Sequence, residues 1–265
     1  MIYIDQLGHK IEFTETPKRI ISLVPSQTEM LHHIGLDDEV VGITKFCIHP
    51  KDWCDSKPKI GGTKNVDIEK IKALQPDLII GNKEENSKED IEALRKLYPV
   101  WMSDIETLKG AFEMMTSVGA MLGKYHESIN LKIEIEFLFN NLNKTQLPET
   151  RNTLAYLVWR NPYMAAGQST FINDMITRCG FKNVFASDSS SRYPTVDATQ
   201  LLAAQPAIIF LSSEPYPFKE EHIKELQTIC PNAHILLVDG EQFSWYGSRL
   251  LQAPAYFSKL IQLLM

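Results

Sequence analysis

Val66-Asp67-Ile68-Glu69-Lys70-Ile71-Lys72-Ala73-Leu74-Gln75-Pro76-Asp77-Leu78-Ile79 recurs without a gap as Val196-Asp197-Ala198-Thr199-Gln200-Leu201-Leu202-Ala203-Ala204-Gln205-Pro206-Ala207-Ile208-Ile209. Val, Asp, Ala, Gln, Pro and the final Ile are identical in the two copies. Both copies carry the same instruction. An Asp ahead of a helical apolar repeat is an N-cap, the Pro stops the helix, and the apolar run behind it starts a strand. An earlier pair matches too: Met30-Leu31-His32-His33-Ile34-Gly35-Leu36 resembles Met175-Ile176-Thr177-Arg178-Cys179-Gly180-Phe181, each with a Gly where a helix would end. A helix-Gln-Pro-strand unit can arise from stop-signal chemistry alone. Two units matched in the same order point instead to a duplicated lobe.

Working outward, residues 20–24, 40–43, 78–80 and 100–101 read as strands, separated by helices at 28–34, 67–74 and 87–97. The second half repeats the recipe: strands at 154–159, 207–211 and 235–238, helices at 170–178, 219–228 and 248–264. This alternation predicts an α/β protein of two lobes, each a parallel sheet flanked by helices. Residues 108–144 lie between the halves and contain no proline and no strand signal. Their apolar residues Ile129, Ile133 and Phe137, with Leu131, Ile135 and Leu138, fall at helical spacing, and Gly123 marks a break. A helix over 124–142 would span roughly 28 Å, enough for a stiff bridge. The expected organisation is an N-terminal lobe (1–108), a linker region (109–147) and a C-terminal lobe (148–265), with a ligand cleft between the lobes.

The bulk numbers narrow the function. The formal net charge of -6 over 265 residues argues against a general nucleic-acid binder, which needs a basic surface. No run of apolar residues is long enough for a transmembrane helix. Met1-Ile2-Tyr3-Ile4-Asp5-Gln6 lacks the basic-then-apolar pattern of a secretory signal. The expected compartment is therefore the periplasm or cell envelope if a leader is missing from this chain, and the cytoplasm otherwise. Cys47, Cys54, Cys179 and Cys230 form no CxxC pair, although Cys47 and Cys54 share a loop and could pair after export.

No GxGxxG, P-loop, HExxH or GxSxG motif is present, and no two histidines stand four apart. These absences lower the case for an enzyme without excluding one; the expectation is no catalytic residue, no metal centre and no resident cofactor. The aromatic residues carry the positive signal. Phe46, His49 and Trp53 follow one strand, Trp159 and Tyr163 flank Asn161-Pro162 after another, and Tyr193 precedes Pro194. Phe243, Trp245 and Tyr246 crowd the loop after residues 235–238. In parallel α/β sheets such loops emerge where ligands bind. Rings there either pack beneath the loop or wall a cleft, and a cleft of rings suits a large, flat, partly apolar ligand. Arg249 could meet an anionic ligand or pair with a carboxylate, and His49 could ligate a metal or be solvated.

Arg19-Ile20-Ile21-Ser22-Leu23-Val24-Pro25-Ser26-Gln27-Thr28-Glu29, with Gly35-Leu36 and Val40-Val41-Gly42-Ile43, resembles the opening of the class III periplasmic binding proteins, the helical-backbone receptors of ABC importers. Gly61-Gly62 and residues 68–80 are similar to that family's second signature, and Ala166-Gly167-Gln168-Ser169-Thr170-Phe171 to the start of its second lobe. The resemblance is closest to the cobalamin-binding branch, through Ser191-Arg192-Tyr193-Pro194-Thr195-Val196 and the late aromatic loop. It implies two lobes joined by a long helix and binding without catalysis. The implied ligand is a bulky metal chelate: cobalamin, haem or a ferric siderophore. The expected pocket, built from the aromatic loops and the groups after Pro25 and around Gly61-Gly62, comprises Pro25, Ser26, Phe46, His49, Trp53, Gly62, Trp159, Tyr163, Tyr193, Phe243, Trp245, Tyr246 and Arg249. The implied partners are an ABC permease and its ATPase, met by a monomer. Glu69 matches a permease-docking glutamate of the first lobe, and Thr199 stands where the second would be. The alternative is a cytoplasmic metal-cofactor-handling protein or enzyme on the same scaffold, which would need cysteine ligands from both halves.

Overall fold

A computed structural model of the chain describes residues 1–144, 147–149, 151–187 and 191–265. The end of the expected linker at Thr145 and Gln146 lies outside the described residues. The chain divides into two compact units. Unit 1 comprises Met1–Ile105, Lys109–Glu136 and Tyr246–Arg249; unit 2 comprises Glu106–Leu108, Phe137–Trp245 and Leu250–Met265.

Unit 1 opens with a hairpin of β1 (Ile2–Ile4) and β2 (Lys10–Glu12). Then come β3 (Ile20–Ser22), α1 (Pro25–His33), β4 (Val40–Ile43), α2 (Lys51–Ser56), and a ribbon of β5 (Gly61–Gly62) and β6 (Asn65–Val66). They are followed by α3 (Ile68–Leu74), β7 (Leu78–Asn82), α4 (Lys88–Arg95), β8 (Val100–Ser103), α5 (Leu108–Met121) and α6 (Tyr125–Asn140). The sheet order is β4-β3-β7-β8, all parallel. Its strands are buried almost throughout, as a sheet covered on both faces requires.

Unit 2 contains β9 (Thr153–Trp159), β10 (Tyr163–Ala165), α7 (Phe171–Arg178), β11 (Lys182–Asn183), β12 (Thr195–Val196), α8 (Ala198–Ala204), β13 (Ile208–Ser212) and α9 (Glu220–Ile229). It ends with β14 (His234–Val238), the short α10 (Glu241–Ser244), a 3-10 turn (Ser248–Leu251, whose first two residues belong to unit 1) and α11 (Ala253–Leu264). Strands β11, β9, β13 and β14 are parallel and correspond to β4, β3, β7 and β8. The edge of β9 is shared: β11 takes its first residues, and β10 pairs antiparallel with its last. β12 extends that antiparallel flank, which the sequence pattern did not reveal.

The duplication is visible atom by atom. Asp67 accepts a hydrogen bond from the Lys70 amide at 3.0 Å, and Asp197 accepts one from the Gln200 amide at 2.8 Å. Gln75 and Gln205 are both left-handed, with φ of 47° and 44°. The proline that follows disfavours the right-handed region for each of them. α1 and α7 end alike: the Gly35 and Gly180 amides reach the carbonyls of His32 and Thr177, and the Leu36 and Phe181 amides those of Leu31 and Ile176. At φ of 82° and 85°, these are the positions where a side chain would be strained.

Three expectations need correction. Trp53 lies in helix α2 and Phe243 in helix α10, not in open loops. The closing helix begins at Ala253 and not at residue 248, because Pro254 suits a first helical turn and no interior position. Finally, Tyr246–Arg249 belongs with unit 1, although the chain on both sides of it belongs to unit 2. Arg249 explains this. Its Nε and Nη2 meet the two carboxylate oxygens of Glu29 on α1 at 3.1 and 2.9 Å, with both side chains largely buried. The break at Gly123 is present, with φ of 70°. α6 has 16 residues, about 24 Å, and the unit assignment changes within it, between Glu136 and Phe137.

Two predictions follow from these contacts. Asp67→Ala and Asp197→Ala each cost about 1 kcal/mol of stability in urea unfolding; a loss at only one of them would show that the copies are not equivalent. Arg249→Ala costs roughly 3 kcal/mol, because it strands the Glu29 carboxylate. Arg249→Lys recovers only part of that, since an ammonium cannot make the two-pronged contact.

Candidate functional site

In unit 1 the carboxyl end of the sheet is formed by the segments that follow β3, β4, β7 and β8. Pro25 occupies the first turn of α1 and is half-buried, and Ser26 beside it is buried. Gln27 donates to Ser103 Oγ at 2.6 Å, tying α1 to the end of β8. Phe46 stands out, with 50% of its surface exposed at the end of β4. The Lys45 ammonium lies 5.1 Å from its ring centre. Gly62 gives the ring its place, since a Cβ there would sit 3.2 Å from Phe46 Cε2. Ile48 is exposed next to it, and His49 is half-buried ahead of α2.

Trp53 is not part of this surface. It is buried, its indole donates to Asp37 at 3.0 Å, and its ring meets His32 edge-on and Lys57 at 5.0 Å. Tyr246 is buried too, with its hydroxyl near Ser103 and Ser26 and pushed well above the ordinary phenol range by burial. Arg249 is committed to Glu29, which decides its two readings in favour of the carboxylate partner.

In unit 2 Trp159 is an exposed ring at the end of β9, with 41% of its surface open. Its ring meets Tyr216 edge-on, with centres 5.7 Å apart. The turn that follows is held by one carboxylate. Arg160 Nε and Nη2 donate to Glu225 Oε2 at 3.1 and 2.8 Å, and the Tyr163 hydroxyl donates to Glu225 Oε1 at 2.6 Å. These donors, Tyr163 first and Arg160 next, hold the Glu225 carboxyl below the usual range. Burial and then the Glu225 charge push the Tyr163 hydroxyl up to about 12. Tyr163 therefore braces the turn and is half-buried; Tyr193 is also half-buried, with its amide on Ser191 Oγ at 3.1 Å.

Phe243 is a core residue. It is fully buried, with ring centres of Phe257, Tyr156 and Phe210 at 4.7, 5.1 and 5.9 Å. Trp245 is buried as well, and its indole donates to Glu214 Oε1 at 2.8 Å beside Ser244 Oγ at 2.7 Å. Burial raises the Glu214 carboxyl above its ordinary value. Of the rings singled out by sequence, Phe46 and Trp159 remain available and Trp53, Phe243, Trp245 and Tyr246 do not. Sequence reading passed over Tyr216, which Pro215 and Pro217 mark as a turn aromatic after β13, and Glu225, which no local signal separates from any solvated helical acid.

Cys47, Cys54, Cys179 and Cys230 are free thiols, with Cys47 Sγ 3.1 and 3.2 Å from the Thr28 and Thr44 hydroxyls. Among the described residues, no three His, Cys, Asp or Glu side chains come together as a metal site, and no helix is long and apolar enough to cross a membrane. Glu69 is exposed in the first turn of α3, paired with Lys72 at 2.9 Å, and Thr199 is exposed in the first turn of α8.

Glu225 carries a pH prediction. A carboxyl whose folded value is depressed contributes stability above its unfolded value, about 4.3, and loses it as pH falls through the folded value. The difference in denaturant midpoint between the wild type and Glu225→Gln is therefore present at neutral pH and vanishes in acid. A difference that grows on acidification would contradict the clamp.

The comparisons agree with this geometry. A vitamin B12-binding protein of Vibrio campbellii is 28% identical over 200 residues, covering 74% of this chain and 70% of that protein. Among solved structures, the periplasmic vitamin B12 binding protein BtuF of Vibrio cholerae superposes with a TM-score of 0.73 at 21% identity, over 94% of this chain and 98% of that one. The periplasmic haem-binding protein HutB of Vibrio cholerae gives 0.76 at 18% identity, over 93% and 98%. Both structural matches establish the fold, a two-lobed binding-protein architecture. The family model described as periplasmic binding protein matches residues 20–228, most of the chain. With parallel strands, a repeated lobe and an exposed ring at the carboxyl end of each sheet, this chain belongs to the periplasmic binding protein family.

Proposed function

We propose that this chain captures a bulky, flat metal chelate of the corrinoid or porphyrin class and delivers it to an ABC permease and its ATPase. The observation that carries the reading is the pair of exposed rings, Phe46 and Trp159, at the carboxyl ends of β4 and β9. A large exposed ring forfeits hydrophobic stabilisation unless something covers it. Covering roughly 100 Å² of such a ring by a rigid macrocycle, at about 25 cal/mol/Å², supplies about 2.5 kcal/mol before ordering costs. The similarity to vitamin B12-binding and haem-binding proteins supports that class of ligand. Half-buried Pro25, His49 and Tyr193 are the remaining candidate contacts from the sequence reading. Glu69 is the proposed docking residue, and Thr199 offers no matching charge in unit 2, so docking here leans on one acid.

The reading as an enzyme or cofactor handler has no support. The family is one of binding proteins.

Titration with cyanocobalamin, haemin and a ferric catecholate is the test. Cyanocobalamin or haemin quenches tryptophan emission with saturable binding, and Phe46→Ala and Trp159→Ala each weaken that binding about tenfold or more while leaving the unfolding midpoint in place. Absence of quenching by both cyanocobalamin and haemin would remove the proposal, whatever the ferric catecholate does. Glu69→Ala leaves ligand affinity unchanged and lowers permease-dependent uptake.

A further inference from the structure

The exposed Trp159 indole ends a strand and precedes a turn, a place where a side chain would ordinarily be mobile. Here two contacts from one helix fix it. The first is Glu225 on α9. Its carboxylate takes Arg160 on one oxygen and Tyr163 on the other, so the residues at both ends of the turn are tied to a single group. Across the hairpin, Met164 pairs with Trp159 itself. The second contact runs through His222, three residues earlier on the same face of α9. His222 is buried, and its Nδ1 accepts the Lys219 amide at 2.8 Å. That assignment leaves the Nε2 proton to face the Tyr216 hydroxyl, 3.3 Å away. Tyr216 packs edge-on against His222 and Phe218 on one side and Trp159 on the other, at 5.5, 4.9 and 5.7 Å between centres.

We propose that Glu225 is a positioning residue for ligand capture: through Arg160 and Tyr163 it holds the turn that presents the Trp159 ring, while His222 backs Tyr216 against the edge of that ring. Glu225 acts here through Arg160 and Tyr163. It lowers the ordering cost of binding by fixing the ring beforehand, and immobilising one side chain of this size corresponds to roughly two- to tenfold in affinity. The inference rests on the proposed binding role of Trp159.

The protein carries its own probe. Of its four tryptophans, Trp53, Trp101 and Trp245 are 2%, 0% and 7% exposed, so collisional quenching by a small solute reports on Trp159 at 41%. Acrylamide is the quencher of choice, because an anion would be drawn to the Arg160 guanidinium once Glu225 is removed. In Glu225→Ala the quenching constant of the Trp159 component rises and its anisotropy falls. Affinity for whichever of cyanocobalamin or haemin the wild type binds drops roughly two- to tenfold. Glu225→Gln, which keeps an acceptor oxygen, recovers part of both effects, and Tyr163→Phe, which removes one hydrogen bond, reproduces part of the loss in a minimally altered fold. Trp159→Phe abolishes the quenchable component and assigns it. Unchanged quenching and anisotropy in Glu225→Ala and Tyr163→Phe overturn the proposal, as does altered quenching with unchanged affinity. A wild type that binds neither probe sinks the ligand reading instead, and the quenching constants still decide whether Glu225 fixes the indole.

Discussion

Strands β3, β4, β7 and β8 run parallel with almost every side chain buried. Such a sheet cannot be connected by hairpins. Each strand must be followed by a crossover that returns the chain to the starting edge, and the helices of those crossovers cover the faces. Every strand therefore releases its chain at the same edge. In unit 1 that end of the sheet collects the loops after β3, β4, β7 and β8, and in unit 2 the corresponding end of its own sheet collects those after β9, β13 and β14. The helices shield the apolar sheet, while the loops at that edge need only satisfy their own backbone. Aromatic residues placed there meet one of two fates, depending on whether neighbouring elements leave room beneath them.

Both fates occur in this chain. Phe243 sits on a helix of four residues and sinks into a cluster with Tyr156, Phe210 and Phe257, so its ring becomes part of the unit 2 core. Trp53 is carried inward by α2 and saturated by Asp37, His32 and Lys57. Phe46 and Trp159 stay outside for local reasons. Phe46 rests against the backbone of Gly62, and Trp159 ends a strand whose neighbouring space is already filled by Tyr216. Position after a strand is therefore necessary for a ligand-facing ring and does not by itself create one.

The acids show the same dependence on surroundings. Glu214 and Glu225 lie eleven residues apart on either side of the start of α9. Glu214 is pressed into a largely buried site and its carboxyl is raised, with Ser244 and Trp245 as donors only partly offsetting the desolvation. Glu225 remains wet and meets a phenol and a guanidinium, which lower it. One group buries a polar anchor for the α10 segment; the other clamps a turn.

The sequence by itself determined the elements and their repetition, because helix caps, left-handed stops and proline breaks are decided within a few residues. Asp67 and Asp197, Gly35 and Gly180, and the two Gln-Pro pairs each act on backbone groups no more than five positions away. Together they made two parallel α/β lobes legible before any coordinates, and the resemblance to the periplasmic binding proteins pointed to binding. What only the tertiary structure decided is the fate of individual side chains. Arg249 is answered by Glu29, 220 positions earlier, and Arg160 by Glu225, 65 positions later. Burial and charge pairing are sums over such distant neighbours, and nothing in the adjacent sequence records which of them will arrive.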